Sequence, residues 1–304
     1  MPFKLKYIPN YITKLPEKMR LAYKCVRSPY FVWVPPGHFY STLPEMEEVD
    51  RRKNYIYGPT PTELPGIDLR REAQLQLLTE FAPFYREESV GRANNPKARY
   101  YHPNGSFLFQ DGFTLHSMVR HFKPPRLIEV GCGMSTCAIL DACDAFSPET
   151  KLTFIDPFPK FMLDLLRPED QTRFELRDQC IQDVELDLFH NLQSGDVLFI
   201  DTSHVSKIGS DVNHFFFNVL PVLRKGVYVH FHDIWYPFEY PREWLSRGIF
   251  WNEAYMLRTY LMNNPNFEIV MFNNYVLKCL PEVVKRDFPR FAEQPGASIW
   301  LRRC

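Results

Sequence analysis

The chain has no excess charge of either sign: across 304 residues, 36 Lys and Arg balance 36 Asp and Glu. That balance argues against a nucleic-acid binder built on a broad cationic face. Cysteine is present without organisation. The seven cysteines include no C-x-x-C pair, so no cysteine-type zinc site is indicated, and their odd number fits no complete disulfide framework. Cys132, Cys137, Cys143 and Cys180 fall in or beside expected core elements and read as free buried thiols of a reducing compartment. No apolar run is long enough to span a bilayer, and Met1-Pro2-Phe3-Lys4-Leu5-Lys6 opens no secretory apolar segment. The expected location is cytoplasmic, with neither membrane nor nucleic acid among the partners. Internal repeats and low-complexity tracts are also missing.

What is present is apolar and rigid. Hydrophobic residues make up 45%, enough for a full core, while 26 prolines and 15% aromatics indicate stiff loops carrying rings. The first forty or so residues are basic, with Lys4, Lys6, Lys14, Lys18, Arg20, Lys24 and Arg27, and read as a solvated face or crossing arm. Loop signals follow at Val34-Pro35-Pro36-Gly37-His38 and Tyr57-Gly58-Pro59-Thr60-Pro61, then a helix over 69–85. From Pro125 short apolar runs alternate with amphipathic segments. Strands are expected at 126–130, 152–155, 173–176, 196–200, 227–231, 267–272 and 298–301. Helices are expected at 136–143, 161–166, 184–192, 211–223 and 251–262. This alternation implies an α/β, Rossmann-like, doubly wound and mostly parallel seven-stranded sheet with helices on both faces. Residues 1–120 would form an N-terminal extension or lid, and 121–304 the main domain. Ligands of such sheets bind beyond the carboxyl ends of the strands.

At the first strand's end stands Glu129-Val130-Gly131-Cys132-Gly133-Met134-Ser135. Gly131 and Gly133 permit a tight turn and close approach of a ligand to the backbone, and the following helix, capped by Ser135, favours negatively charged groups at its start. Thr136 occupies the place of a third glycine, which disfavours a dinucleotide. Asp156 ends the second strand, where a carboxylate can accept both ribose hydroxyls. Gln182 and Asp183, after the third strand, are candidates for the adenine; Asp183 is equally a helix cap.

The fourth strand runs Asp196-Val197-Leu198-Phe199-Ile200-Asp201-Thr202-Ser203-His204, and the fifth Val227-Tyr228-Val229-His230-Phe231-His232-Asp233. Alternation turns His230 and His232 to one side and Phe231 to the other. The adjacent strand ends would bring Asp201, His204, His232 and Asp233 together. Such a set suits Mg²⁺, Mn²⁺, Fe²⁺ or Zn²⁺, or else a metal-free Asp–His network.

On these strings the chain resembles class I S-adenosylmethionine-dependent methyltransferases, and among them the metal-assisted small-molecule O-methyltransferases of the catechol and macrocin type. The resemblance covers roughly residues 124–304. It implies S-adenosylmethionine as cofactor, held by Glu129, Gly131, Gly133, Ser135, Asp156 and Gln182. It also implies a divalent metal on Asp201, His232 and Asp233, and homodimers, which are frequent in this branch. His204 stands where the branch carries a lysine base, and His232 replaces an oxygen ligand; a softer metal, or His204 or His232 as general base with no metal, are both compatible with these changes.

The expected reaction is methyl transfer to a small organic acceptor, most simply a hydroxyl, with Asp201, His204 and His232 as catalytic residues. His38, Tyr40 and Glu253 are candidates for the acceptor pocket, each a polar group beside glycine or aromatics. The main rival is a non-haem iron oxygenase, since two His and one carboxylate from the same cluster make a facial triad. A non-catalytic scaffold and a nucleic-acid methyltransferase are weaker readings. The concentration of Asp and His at strand ends argues against the first. The absence of an N/D-P-P-Y string after the fourth strand argues against the second.

Overall fold

The computed structural model describes residues 19–20, 22–23, 33–87, 90–91 and 97–304. The basic positions Lys4, Lys6, Lys14, Lys18, Lys24 and Arg27 lie outside the described residues. Contacts divide the chain into two compact units, residues 1–58 and 59–304. The first carries helices Met46–Arg51 and Lys53–Ile56 and a turn in which Trp33 stacks on Tyr40, with ring centroids 5.3 Å apart.

The second unit is built on a seven-stranded sheet. The elements that frame the sheet and its site are α1 (Arg71–Arg86), α2 (Phe109–Phe122), β1 (Arg126–Val130), α3 (Met134–Phe146), β2 (Lys151–Ile155), β3 (Phe174–Arg177), β4 (Val197–Ile200), α4 (residues 211–222), β5 (Tyr228–Phe231), α5 (Glu253–Leu261), β6 (Phe267–Phe272), α6 (Asn273–Cys279) and β7 (Ile299–Arg303), with shorter helices such as Lys160–Leu165 and Pro281–Asp287 between them. The strand order is β3-β2-β1-β4-β5-β7-β6. The first five strands pair in parallel, and β7 enters antiparallel between β5 and β6. β4 and β5 are buried at every position, as strands covered on both faces must be.

Alternation sorts the side chains onto two cores. Leu127, Phe154, Val197, Phe199 and Trp300 share one core with residues of α1, α2 and α3. Ile128, Ile155, Leu198, Ile200, Val229 and Phe231 share the other with residues of α4 and α5. α1 lies before the boundary expected at 120/121 and α2 spans it; both contribute to the sheet's core. Of the cysteines, Cys137 and Cys143 are buried, Cys132 is half-buried and Cys180 is exposed.

Three local outcomes differ from the sequence reading. α2 was not expected: residues 109–119 are buried on every side, including Gln110, Asp111, Thr114, His116 and Ser117, so no apolar stripe marks it. The helix expected over 184–192 shrinks to the short turns Ile181–Asp183 and Asp187–His190. α4 widens into a π turn at Phe215–Val219. Pro221 has no N–H for the carbonyl of Phe217, four residues back, and the wider turn absorbs the break.

The buried polar groups of α2 are matched. Asp111 accepts from Ser298 Oγ at 2.6 Å, Asn273 Nδ2 at 2.8 Å and the Ala297 amide at 3.0 Å. Gln110 donates to the Asn273 carbonyl and accepts from the Gly296 amide. This knot ties α2 to the starts of α6 and β7. Asp111→Asn turns one acceptor oxygen into a donor facing donors, and should cost roughly 2 kcal/mol of stability in urea unfolding.

Candidate active site

Register places the site. Val130 pairs with Ile155 and with Ile200, and Ile200 pairs with Phe231. The next residue on each strand therefore stands on one rim: Gly131, Asp156, Asp201 and His232.

Gly131 adopts φ +83°, and a Cβ there would lie 1.6 Å from the carbonyl oxygen of Asp201. The neighbouring strand's backbone thus demands the glycine, independently of any ligand. Gly133 is extended at φ −175° and caps α3, its amide donating to Thr136 Oγ1 at 3.0 Å. Ser135, expected as the cap, is already helical. Its hydroxyl donates to Glu129 Oε1 at 2.6 Å, and the Thr136 hydroxyl donates to Oε2 at 2.6 Å. Glu129 and Ser135, expected at the cofactor, are both buried and bonded to each other. Burial raises the Glu129 carboxyl from 4.5 to about 8, with the two hydroxyls working against the rise.

A cavity of about 380 Å³ opens beside the loop, with Gly131, Asp156, Phe158, Gln182, Asp201 and Asp211 among its walls. Asp156 Oδ2 accepts from the Cys132 amide at 2.9 Å, and Oδ1 from the Phe158 amide at 2.7 Å. Each oxygen keeps a lone pair for a further donor. Gln182 Nε2 donates to the Gly209 carbonyl at 2.8 Å, joining two loops at the cavity's edge. Asp211, read from sequence only as the first residue of a helix, holds Ser203 through its amide at 2.8 Å and its hydroxyl at 2.5 Å.

Asp201 belongs to a second grouping as well. His204 Nε2 lies 3.3 Å from Asp201 Oδ1 and 3.8 Å from Asp233 Oδ2. Its Nδ1 meets Glu253 Oε2 at 2.8 Å. Among the described residues, donor atoms of Asp201, His204 and Asp233 all lie within 4.8 Å of one another. His232, expected as a ligand with Asp201 and Asp233, is not in that group: its Nε2 lies 3.9 Å from Asp233 Oδ1 and 3.4 Å from the Ser106 carbonyl. His230 and His232 do face the same way, their rings stacked at 5.9 Å. Glu253, expected on the acceptor pocket, is 1% exposed and bonded to His204. His38 and Tyr40 belong to the first unit, where His38 Nδ1 accepts from the Tyr40 amide at 3.2 Å.

His204 and Asp233 both hold left-handed backbones, at φ 58° and 53°, conformations that cost free energy and cluster at functional sites. The charges are mutually adjusted. Burial opposes a proton on His204, yet Asp201 and Glu253 hold it well above 6.5. Burial likewise opposes charge on Asp201, and His232 and His204 outweigh it, lowering the carboxyl. Burial dominates at Asp233 and lifts it to about 6. His232 is raised against burial by Asp201, Asp233 and Asp111.

Two outcomes follow from the loop. Gly131→Ala should lose roughly 3 kcal/mol or more, because φ and contact both forbid a Cβ; chemical denaturation reads this directly. At Glu129, the folded chain keeps its proton to about pH 8 while the unfolded chain releases it near 4.5. Stability should therefore fall as pH rises between those values and level off above. Glu129→Gln removes this dependence, so melting temperatures of variant and parent should diverge from pH 5 to 8, in favour of the variant.

Residues 128–234 match a family described as a methyltransferase domain. An uncharacterised protein of Archaeoglobus fulgidus is 34% identical over 166 residues, 52% of this chain and 73% of that protein. Among solved structures, an O-methyltransferase of Streptomyces achromogenes involved in tomaymycin synthesis, in complex with SAM, is 15% identical. It covers 75% of this chain and 89% of its own, with a TM-score of 0.42. An O-methyltransferase of Bacillus cereus in complex with SAH is 13% identical, over 84% and 97%, with a TM-score of 0.43. The family match begins inside β1 and ends just past β5, so the stretch whose register assembles the rim carries a methyltransferase domain.

Proposed function

We propose that this chain transfers the methyl group of S-adenosylmethionine to a hydroxyl of a small organic acceptor, with the acceptor held at Asp201, His204 and Asp233. The observation that carries the reading is the double position of Asp201: it lines the cavity beside the glycine loop and belongs to the Asp–His–Asp group. A donor in the first would present its methyl to an acceptor at the second.

In this reading Asp156 takes the ribose hydroxyls with its remaining lone pairs, Gln182 edges the adenine side, and Glu129, Gly133 and Ser135 keep the loop in shape from beneath. The sulfonium methyl is already activated, so alignment supplies much of the rate. The acceptor hydroxyl must lose its proton. His204 has both nitrogens engaged, whereas His232 Nδ1 has no hydrogen-bond partner among the described residues, so His232 is assigned as the proton acceptor. The oxygens of Asp201 and Asp233 with one imidazole fit a divalent cation, and such an ion, when bound, would lower the pKa of a coordinated hydroxyl. The oxygenase reading needs two imidazoles and a carboxylate on one point. Only His204 joins the group, so that reading gains no support.

Calorimetric titration tests the donor site. The parent chain should bind S-adenosylmethionine, and Asp156→Ala should weaken it by about 30-fold or more, as loss of two hydrogen bonds to a charged acceptor requires. Unchanged affinity in a folded Asp156→Ala chain would remove the ribose assignment. His232→Gln should lower kcat by about 10²- to 10⁴-fold in a radiolabelled-methyl assay against a panel of hydroxyl acceptors, with donor affinity intact.

A further inference from the structure

Glu253 opens α5 as a carboxylate with 1% exposure. It grips His204 twice: Oε2 lies 2.8 Å from Nδ1, and its amide donates to the His204 carbonyl at 3.2 Å, beside the Asn252 amide at 3.1 Å. The Trp251 ring lies against the imidazole, centroids 4.3 Å apart. The left-handed backbone at His204 turns that carbonyl toward the start of α5. The ring is thus held at an edge, along a face and through its own backbone.

The other ring nitrogen faces the rim carboxylates. A carboxylate accepting from Nδ1–H fixes the ring's orientation and leaves Nε2 as the nitrogen that a cation could take in exchange for its proton. Nε2 lies 3.3 Å from Asp201 Oδ1 and 3.8 Å from Asp233 Oδ2. Two carboxylate oxygens beside one imidazole nitrogen call for a positive centre among them, a proton on Nε2 or a cation in its place. Ligand–metal bonds of roughly 2.0–2.3 Å put neighbouring donors about 3–4.5 Å apart, and the two separations from Nε2, 3.3 and 3.8 Å, fall in that span. A metal-bound imidazole typically gives its other N–H to a carboxylate, and Glu253 is placed to receive it.

We infer that Glu253 is a positioning residue that turns His204 Nε2 to Asp201 and Asp233, making His204, and not His232, the nitrogen donor of a divalent-cation site. This rests on the proposed methyl-transfer reading of the same rim. An imidazole beside two carboxylates favours borderline ions such as Fe²⁺, Co²⁺ or Zn²⁺ over Mg²⁺.

The test is titration of the metal-stripped full chain with Co²⁺, read by its visible absorption, in parallel with S-adenosylmethionine calorimetry. The parent should bind Co²⁺ at least about tenfold tighter than Mg²⁺. Glu253→Ala should weaken Co²⁺ by about 10- to 100-fold. Glu253→Gln, whose carbonyl still accepts from Nδ1–H, should restore affinity to within about threefold of the parent. His204→Ala should abolish the nitrogen-ligated spectrum, and His232→Ala should leave it in place. Should Glu253→Ala fail to fold, Glu253→Asp, one methylene too short to reach Nδ1, should show the same weakening. Parent-like Co²⁺ binding in Glu253→Ala or His204→Ala overturns the inference, as does a spectrum lost only in His232→Ala. A parent that binds S-adenosylmethionine but no Co²⁺ also overturns it, with a proton on Nε2 then filling the gap, and leaves the methyl-donor reading standing. A parent that binds Co²⁺ but no S-adenosylmethionine overturns the methyl-donor reading instead.

Discussion

The hydrogen-bond register of β2, β1, β4 and β5 is the constraint from which the rest of the site follows. With Val130 opposite both Ile155 and Ile200, and Ile200 opposite Phe231, the strands end level. A slip of one residue would swap every side chain to the other face of the sheet. It would drive Asp201 into a core and withdraw Phe199 from its stack on His230, whose rings lie 3.7 Å apart. Because both faces are packed, the register has no near-degenerate alternative, and a loop of one strand can rely on the backbone of the next.

That rigidity allows an unusual density of ionisable groups at the rim. Asp201, Asp233, Glu253, His204 and His232 are all largely shielded from water. Isolated, each would be costly to ionise in such surroundings. Together they compensate: imidazoles lower one carboxylate, carboxylates raise both imidazoles, and Asp233, least compensated, is lifted to about 6. Left-handed backbones at His204 and Asp233 are the local cost of bringing these groups to one point.

The sheet was legible because strands buried on both faces write themselves as apolar runs, and Arg126–Val130 and Phe267–Phe272 fall where those runs predict. Strand ends were legible for the same reason, so Gly131, Asp156, Asp201 and Asp233 could be placed at strand ends, and His204 just beyond one, from the sequence. What lies further along the chain was not. Glu253 was expected on the acceptor pocket, but it is 49 residues from His204, and no local pattern shows that its carboxylate will meet that imidazole. α2 was hidden because burial all round erases helical periodicity. The division of labour between His204 and His232 depends on rotamers and on one carbonyl of Ser106, which alternation alone does not specify.

The glycine loop has a consequence for lineage. Gly131 is held in place by the carbonyl of Asp201, not by a ligand. A descendant that lost its methyl donor would still need that glycine to keep its sheet, so the loop can outlive the activity it is used to recognise. Asp156 is under a looser architectural demand, two loop amides that other acceptors could serve. On the proposed ribose contact, drift at the position of Asp156 in distant descendants of this fold would be the more sensitive sign that the donor is gone.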